Sequence, residues 1–162
     1  MENALRKVRE RASLTRALKI FSHGVSVLAV AAFLYLSFAA IRVSAYELMK
    51  LLVTLGVPFV ILSVVRRVIN APRPYELYDF YDAPPKAKCG SSFPSRHAHS
   101  SIAIGTVLCF CSPILGSVLL LFGCLMCCAR VLLGIHFIRD VLAGAVTGAV
   151  SSLLGALIFS LT

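Results

Sequence analysis

The sequence predicts an all-α fold, a polytopic membrane helical bundle with about five transmembrane helices. Of the 162 residues, 59% are hydrophobic and 14% are charged, and the mean hydropathy is +0.88. This composition is too apolar for an ordinary soluble domain. The apolar residues also come in runs of about 20, which is the length that crosses a bilayer as a helix. We therefore expect residues 1–162 to form a single membrane domain.

The first 18 residues differ from the rest because basic side chains alternate there with Ala, Leu and Val. The cations are Arg6, Lys7, Arg9, Arg11 and Arg16. This pattern predicts a basic amphipathic segment, residues 1–18, on an anionic membrane surface. A cleavable signal peptide is the alternative, but the following apolar run is full-length and no small-residue cleavage site is evident.

The transmembrane bundle is expected to cover residues 20–161. The first two helices are predicted at about 20–41 and 46–70, with Pro58 as a kink in the second. The Pro-rich run 71–74 ends the second helix. Three further helices are predicted at about 94–111, 114–133 and 137–161. Ser and Pro residues mark the start of the third helix. The last carries a stripe of small residues for close packing against another helix, namely Gly144, Gly148, Ser152 and Gly155.

The long polar connection, residues 71–93, joins the second and third predicted helices. Aromatic residues alternate there with charged ones, as in Tyr75-Glu76 and Tyr78-Asp79. This mixture favours a loop at the level of the lipid headgroups over a disordered linker.

Five crossings would bring several polar residues to one membrane surface. The second and fourth helices end at that surface, and the third and fifth begin there. The residues concerned are Arg66, Arg73, Ser95, Arg96, His97, Arg130, His136 and Asp140. They come from distant parts of the chain, so their convergence is the strongest functional signal in the sequence.

The chemistry of these side chains indicates phosphoryl transfer. Guanidinium groups and a helix N-terminus together make an oxyanion site. His136 and Asp140 are four residues apart and share a helical face, so the carboxylate would fix the imidazole tautomer. One histidine would then attack phosphorus while the other protonates the departing oxygen. A polar helix–helix loop is the simpler alternative for an isolated His-x-x-x-Asp pair.

We expect no metal and no other cofactor. Magnesium needs several oxygen ligands, and the sequence offers no carboxylate cluster at this surface. Zinc bound by His97, His99 and His136 is conceivable, but the nearby arginines would repel a cation. His99 lies about 200° around the helix from His97 and is expected to point elsewhere.

Three spaced motifs resemble the signatures of the type 2 phosphatidic acid phosphatase and vanadium haloperoxidase superfamily. They are Arg66-x6-Arg73-Pro74, Pro94-Ser95-Arg96-His97 and Arg130-x5-His136-x3-Asp140. The resemblance covers about residues 60–148. It implies a metal-independent lipid phosphatase on a helical bundle, with residues 71–93 as a catalytic loop.

The resemblance also implies a role for each residue of the motifs. His136 would be the nucleophile that forms a phosphohistidine, Asp140 would orient it, and His97 would protonate the leaving alcohol. The phosphate would be held by Arg66, Arg73, Ser95, the Arg96 amide and Arg130.

Three positions depart from the family pattern. Arg66 stands where Lys is usual, Ala129 where Ser is usual, and Arg96 where Gly is usual. The Arg96 side chain adds bulk or charge, which suits a second anionic group. These departures affect the expected substrate class more than the expected chemistry.

The positions of the lysine and arginine residues predict how the protein is oriented in the membrane. Six Lys and Arg precede residue 20, so the positive-inside rule places the N-terminus in the cytoplasm. Because five crossings put the active site on the same side, we expect it to face the cytoplasm. A short N-terminal hairpin would reverse this.

The substrate is expected to be a lipid or prenyl phosphate, with a slight preference for a prenyl-linked one. A lipid phosphotransferase, a non-catalytic lipid-phosphate binder and a haloperoxidase are the alternatives. The expected partners are this substrate and membrane lipids, with no nucleic acid. The sequence does not indicate an oligomeric state.

Overall fold

The structure, a computed structural model, describes residues 12–78 and 89–160. These residues form helices and, within the described ranges, no strand. The helices are α1 (Ala12–Val43), α2 (Ala45–Ile69), α3 (Pro74–Leu77), α4 (Arg96–Cys111), α5 (Pro113–Leu132) and α6 (Ile138–Ser160). The predicted all-α fold is confirmed.

Within the described ranges, four segments are long and apolar enough to cross a membrane. They are Ala12–Val43, Ala45–Leu77, Pro113–Leu132 and Ile138–Phe159. The remaining long helix, α4, has 16 residues, or about 24 Å at 1.5 Å per residue. It is shorter than a usual span and packs inside the bundle between the others. The chain is therefore an integral membrane protein built on a helical bundle.

The helix boundaries agree with the predicted ones except at the N-terminus. α1 begins at Ala12, well before the predicted start near residue 20. Residues 12–18 of the predicted amphipathic segment thus continue into the first membrane helix, while residues 1–11 lie outside the described ranges. Pro58 lies inside α2, as predicted.

Local sequence explains the sharp ends of α2. Ser44 is the N-cap, and its side chain accepts a hydrogen bond from the Glu47 amide at 3.1 Å. Asn70 closes the helix in the left-handed conformation with φ 44°, which Asn tolerates better than most residues. Its side-chain oxygen Oδ1 then accepts from the Ser91 amide at 3.0 Å. The end of α2 is thereby tied to the loop that precedes α4.

The apolar core lies around α4, which contacts every long helix. Its cluster of buried side chains draws on α1, α2, α4 and α5. The members are Ala29, Leu36, Leu55, Ala103, Ile104, Leu108 and Leu119. Large apolar side chains on the outer surface, such as Val30 and Leu34 of α1, are exposed, as expected where the neighbour is lipid.

The predicted small-residue stripe of α6 is confirmed as a packing surface. A Cβ at Gly144 would collide with the Ser95 carbonyl, and one at Gly148 with the His99 carbonyl. The Ser152 hydroxyl donates to the Ala103 carbonyl of α4 at 3.1 Å. The fourth member, Gly155, lies against Thr54 of α2. Small side chains thus let the α6 backbone approach α4 closely.

Adding one methyl group at this contact should loosen the bundle. Gly148→Ala is expected to lower the free energy of unfolding by about 1–3 kcal/mol, because the new Cβ overpacks the α4–α6 contact. Thermal unfolding in detergent measures the change. Gly24→Ala is the matched control, since a Cβ there meets nothing within 4 Å. Equal unfolding temperatures for the two variants would contradict close α4–α6 packing.

Candidate active site

His136 lies in the short loop between α5 and α6 and is 2% exposed. Gly134, with φ +66°, makes the turn that brings the chain back toward the bundle. The His136 Nδ1 atom lies 3.6 Å from Asp140 Oδ2. The structure therefore brings together the pair that the four-residue spacing predicted, at the start of α6.

Ser92 is a site residue that the sequence reasoning missed. It is fully buried, and its hydroxyl donates to Asp140 Oδ2 at 2.5 Å. The same Oγ lies 3.3 Å from His136 Nδ1. Because the serine hydroxyl donates its proton to the carboxylate, Ser92 Oγ can accept a hydrogen bond from the Nδ1–H group of His136. Ser92 thus links the imidazole to the carboxylate, and Nε2 keeps its lone pair. From the sequence alone, the serines that precede α4 indicate only the start of a helix.

Burial and charge keep the His136 ring neutral. Burial lowers the pKa of the imidazole below its usual value, the Asp140 carboxylate opposes this, and nearby arginines lower it further. These arginines are Arg73, Arg130 and Arg66. A neutral ring has the free Nε2 lone pair that a nucleophile needs. The influence of these arginines on the pKa of His136 indicates that all three predicted arginines lie near it.

Arg66 is buried at the end of α2 and holds the loop that precedes α4. Its Nη1 donates to the carbonyls of Ser92 at 3.3 Å and Pro94 at 3.0 Å. A guanidinium carries five N–H groups, so the remaining ones are available to an anion. Arg66 therefore also has a structural role, which the sequence did not reveal.

Arg73 is held by hydrogen bonds to Glu76 and Gly90, which lie near the two ends of the polar connection. Its Nε donates to the Gly90 carbonyl at 3.1 Å. Glu76 Oε1 accepts from the Arg73 amide at 3.1 Å and from the Gly90 amide at 2.7 Å. This carboxylate joins the two ends of the polar connection and fixes the Arg73 backbone.

The start of α4 provides free backbone donors. Ser95 is the N-cap, is fully buried, and accepts from the Ala98 amide at 3.4 Å. The next two amides, of Arg96 and His97, have no hydrogen-bond acceptor among the described residues. Unpaired amides at a helix N-terminus favour a bound anion.

Arg130, in the last turn of α5, also presents an unused donor. Its Nε is buried and has no hydrogen-bond partner within the described part of the chain. A buried donor without an acceptor is unfavourable, and a phosphate oxygen would satisfy it. Its neighbour Ala129 is buried and has no polar side-chain atom.

His97 completes the cluster, since its electrostatic neighbours are Arg130, His136, Arg96 and Arg66. Both histidines are therefore at the same end of the bundle. His99 points elsewhere, as predicted, with its Nδ1 3.2 Å from Thr147 Oγ1 of α6. Within the described ranges, no three His, Cys, Asp or Glu side chains form a group that could hold a metal ion.

The fold and this site define a class: a helical membrane protein with a buried cationic pocket beside a neutral histidine. Comparison with known proteins narrows the class. Residues 47–161 match the sequence model of the PAP2 superfamily. The chain belongs to the PAP2 superfamily.

Solved structures share the fold. The crystal structure of Aquifex aeolicus LpxE superposes with a TM-score of 0.71 at 21% identity, covering 96% of this chain and 93% of that one. The transmembrane PAP2-type phosphatidylglycerolphosphate phosphatase from Bacillus subtilis gives a TM-score of 0.67 at 22% identity, covering 98% and 86%. No curated protein sequence matches this chain.

The unpaired Arg130 donor should contribute to phosphate affinity. Arg130→Gln is expected to weaken the binding of inorganic phosphate about tenfold or more, because a charge-assisted hydrogen bond is lost. The rise of the unfolding temperature with phosphate concentration measures this affinity. Arg67→Gln, an exposed charge at the end of α2, is the matched control. Similar affinity in both variants would exclude Arg130 from the anion site.

Proposed function

We propose that this protein is a membrane lipid phosphatase that hydrolyses a phosphomonoester or diphosphate of a lipid or prenyl substrate. The reaction would use a phosphohistidine intermediate and no metal ion. The observation that carries the proposal is the buried His136–Ser92–Asp140 arrangement beside the arginines. It leaves the Nε2 lone pair free on a neutral ring that three arginines influence electrostatically, one of them with an unpaired buried donor.

The first step would transfer the phosphoryl group to the enzyme. His136 Nε2 attacks phosphorus, the bond from phosphorus to the leaving oxygen breaks, and His97 donates a proton to that oxygen. Arg66, Arg73 and Arg130 would hold the non-bridging oxygens, with the amide of Arg96 and the hydroxyl of Ser95. Burial, more than the neighbouring cations, lowers the pKa of His97. A bound phosphate would oppose both effects and favour the protonated form that this step requires.

The second step would release phosphate. Water attacks the phosphorus of the phosphohistidine, and His97, now neutral, accepts a proton from it. The bond between phosphorus and Nε2 breaks, which restores the His136 lone pair. In both steps the arginines would stabilise the charge that develops on the phosphoryl oxygens.

A lipid substrate fits the position of the site at one end of a membrane bundle, where a headgroup can reach the pocket while its chain stays in the lipid. The Bacillus subtilis structure is described as a phosphatidylglycerolphosphate phosphatase, which supports a lipid phosphate here. We also propose that the site faces the cytoplasm, on the basis of the six cations that precede residue 20.

Removing the nucleophile should abolish turnover. His136→Ala is expected to lower the rate of phosphate release from lipid phosphates in detergent by about 10³-fold or more. A chelator should leave the wild-type rate unchanged. His23→Ala, at an exposed histidine of α1, is the control.

Four results would contradict this proposal. The first is undiminished phosphate release by His136→Ala, and the second is activity lost with chelator and restored by Mg²⁺. The third is wild-type protein that binds lipid phosphates and releases no phosphate from any of them, which would indicate a non-catalytic binder. The fourth is phosphate transferred to an added alcohol in place of water, which would indicate a phosphotransferase.

The hydroxyl of Ser92 should act on catalysis through His136 and Asp140. Ser92→Ala is expected to lower kcat about 10- to 100-fold with little change in KM, because the imidazole loses its link to the carboxylate. Steady-state kinetics measures the split. In the control Ser63→Ala, the hydroxyl that is removed donates only to the Phe59 carbonyl of its own helix. A reduced yield of folded protein with an unchanged kcat would show that Ser92 is only structural.

A further inference from the structure

A cavity of about 440 Å³ begins next to the proposed catalytic histidines. It lies between α1, α2, α4 and α5, with Arg96 and His97 at one end and Phe33, Leu55 and Ile104 further along. From Arg96 to Ile104, α4 rises about 12 Å at 1.5 Å per residue. The volume is in the range of about 300–1,000 Å³ that is usual for small-molecule sites.

The cavity is mainly apolar and is open to the side. Ala29, Phe33 and Leu55 provide apolar walls away from the histidines. Val30 of α1 and Phe59 of α2 also line it, and they are 57% and 36% exposed. The gap between α1 and α2 therefore faces the lipid, so an apolar chain can enter from the bilayer without crossing water.

Arg96 stands where this cavity meets the phosphate site. It is exposed, and among the described residues that line the cavity it alone carries a permanent charge. Its guanidinium has no hydrogen bond or ion pair with any described residue. Its charge nevertheless acts on both His97 and Arg66. The side chain is thus a cation without an observed protein partner, placed between the reacting phosphate and an apolar chain.

We propose that Arg96 and this cavity form a second subsite, which binds the inner phosphate and the apolar chain of a lipid diphosphate. The inference rests on the proposed phosphatase function and names its substrate class. In a diphosphate, the inner phosphate lies between the terminal phosphate and the chain. Arg96 occupies the corresponding position between the catalytic pocket and the cavity.

The chemistry of a diphosphate explains why a cation is useful there. His136 Nε2 forms a bond to the terminal phosphorus, and the bond from that phosphorus to the bridging oxygen breaks. His97 donates its proton to the bridging oxygen, and the leaving group is the lipid monophosphate. Arg96 pairs with the anionic oxygens of this leaving group through charge-assisted hydrogen bonds. A lipid monophosphate with the same chain offers Arg96 no such group.

The test compares farnesyl diphosphate with farnesyl monophosphate, which carry the same chain, in detergent micelles. For Arg96→Gln, the ratio of kcat/KM for the diphosphate to kcat/KM for the monophosphate should fall about tenfold or more. Arg96→Lys should retain part of the ratio. Arg67→Gln removes one charge from the same end of the bundle and should leave the ratio within about twofold. An unchanged ratio in Arg96→Gln, or an equal fall in Arg67→Gln, would overturn the proposal.

The cavity is tested with a side chain that fills it. Gly56 lines the cavity, and a Cβ there meets nothing within 4 Å. Gly56→Leu should lower kcat/KM for farnesyl diphosphate several-fold relative to that for inorganic diphosphate, which has no chain. Gly24→Leu adds the same side chain to α1 outside the cavity lining, with the same absence of contacts, and should not change the relative value. Equal effects of the two variants would show that the chain binds elsewhere.

Binding separates this inference from the proposed function. In the His136→Ala background, the ratio of the dissociation constants of the two farnesyl phosphates gives the same comparison without turnover. If wild-type protein releases no phosphate while Arg96→Gln still loses the preference for the diphosphate, the phosphatase proposal fails and the subsite remains. If phosphate is released and the binding preference is absent or independent of Arg96, the subsite fails alone.

Discussion

Asp140 is the residue through which the two halves of the site are joined. Its carboxylate accepts from Ser92 in the loop before α4 and from the Phe137 amide beside His136 at 3.0 Å. Its backbone carbonyl accepts from the Ser95 amide at 2.9 Å. A single buried residue therefore fixes the nucleophile loop relative to the helix N-terminus that would bind phosphate. Without the carboxylate, the Ser92 hydroxyl and the Phe137 amide would each lose a hydrogen-bond acceptor at a buried position, where unpaired groups are costly.

The balance of charges explains why this site favours the binding of an anion. Arg66, Arg73 and Arg130 all act electrostatically on His136, and Asp140 is the carboxylate that opposes them there. Concentrating cations in a partly buried pocket is unfavourable unless negative charge compensates them. Asp140 supplies part of this compensation, and its Oδ1 has no hydrogen-bond partner among the described residues. A phosphate would supply the rest and would also accept from the buried Arg130 Nε. The same charges, which repel one another, would stabilise a phosphoryl group in the pocket.

The sequence predicted the parts of this site that follow from periodicity and from the number of crossings. His136 and Asp140 meet because four residues make about one helical turn, and the arginines converge because helix ends alternate between membrane surfaces. Ser92 could not be predicted, since 48 residues separate it from Asp140 and their contact depends on the path of an irregular loop. The second use of Arg66, as a donor to the Ser92 and Pro94 carbonyls, depends on the same path. α4 has only 16 residues and lies inside the bundle, and this position is a tertiary property that hydropathy does not encode.

The axial register of α4 determines where the chemistry and the proposed specificity lie. Three contacts set it: Ser95 against Gly144, His99 against Gly148, and Ala103 against Ser152. Successive contacts are four residues apart on both helices. The contacts therefore repeat about once per turn along two parallel helices. Sliding α4 to an equivalent packing would need a shift of about one turn, roughly 5.4 Å, which would separate Ser95 from Asp140. The small residues of α6 thus hold the start of α4 level with the nucleophile. Once this level is fixed, the direction of each α4 side chain is fixed as well. Arg96 and His97 border the cavity near the catalytic site, and His99, which also lines the cavity, has its Nδ1 beside Thr147 of α6. A change at Arg96 can therefore alter which substrate is bound without moving His136.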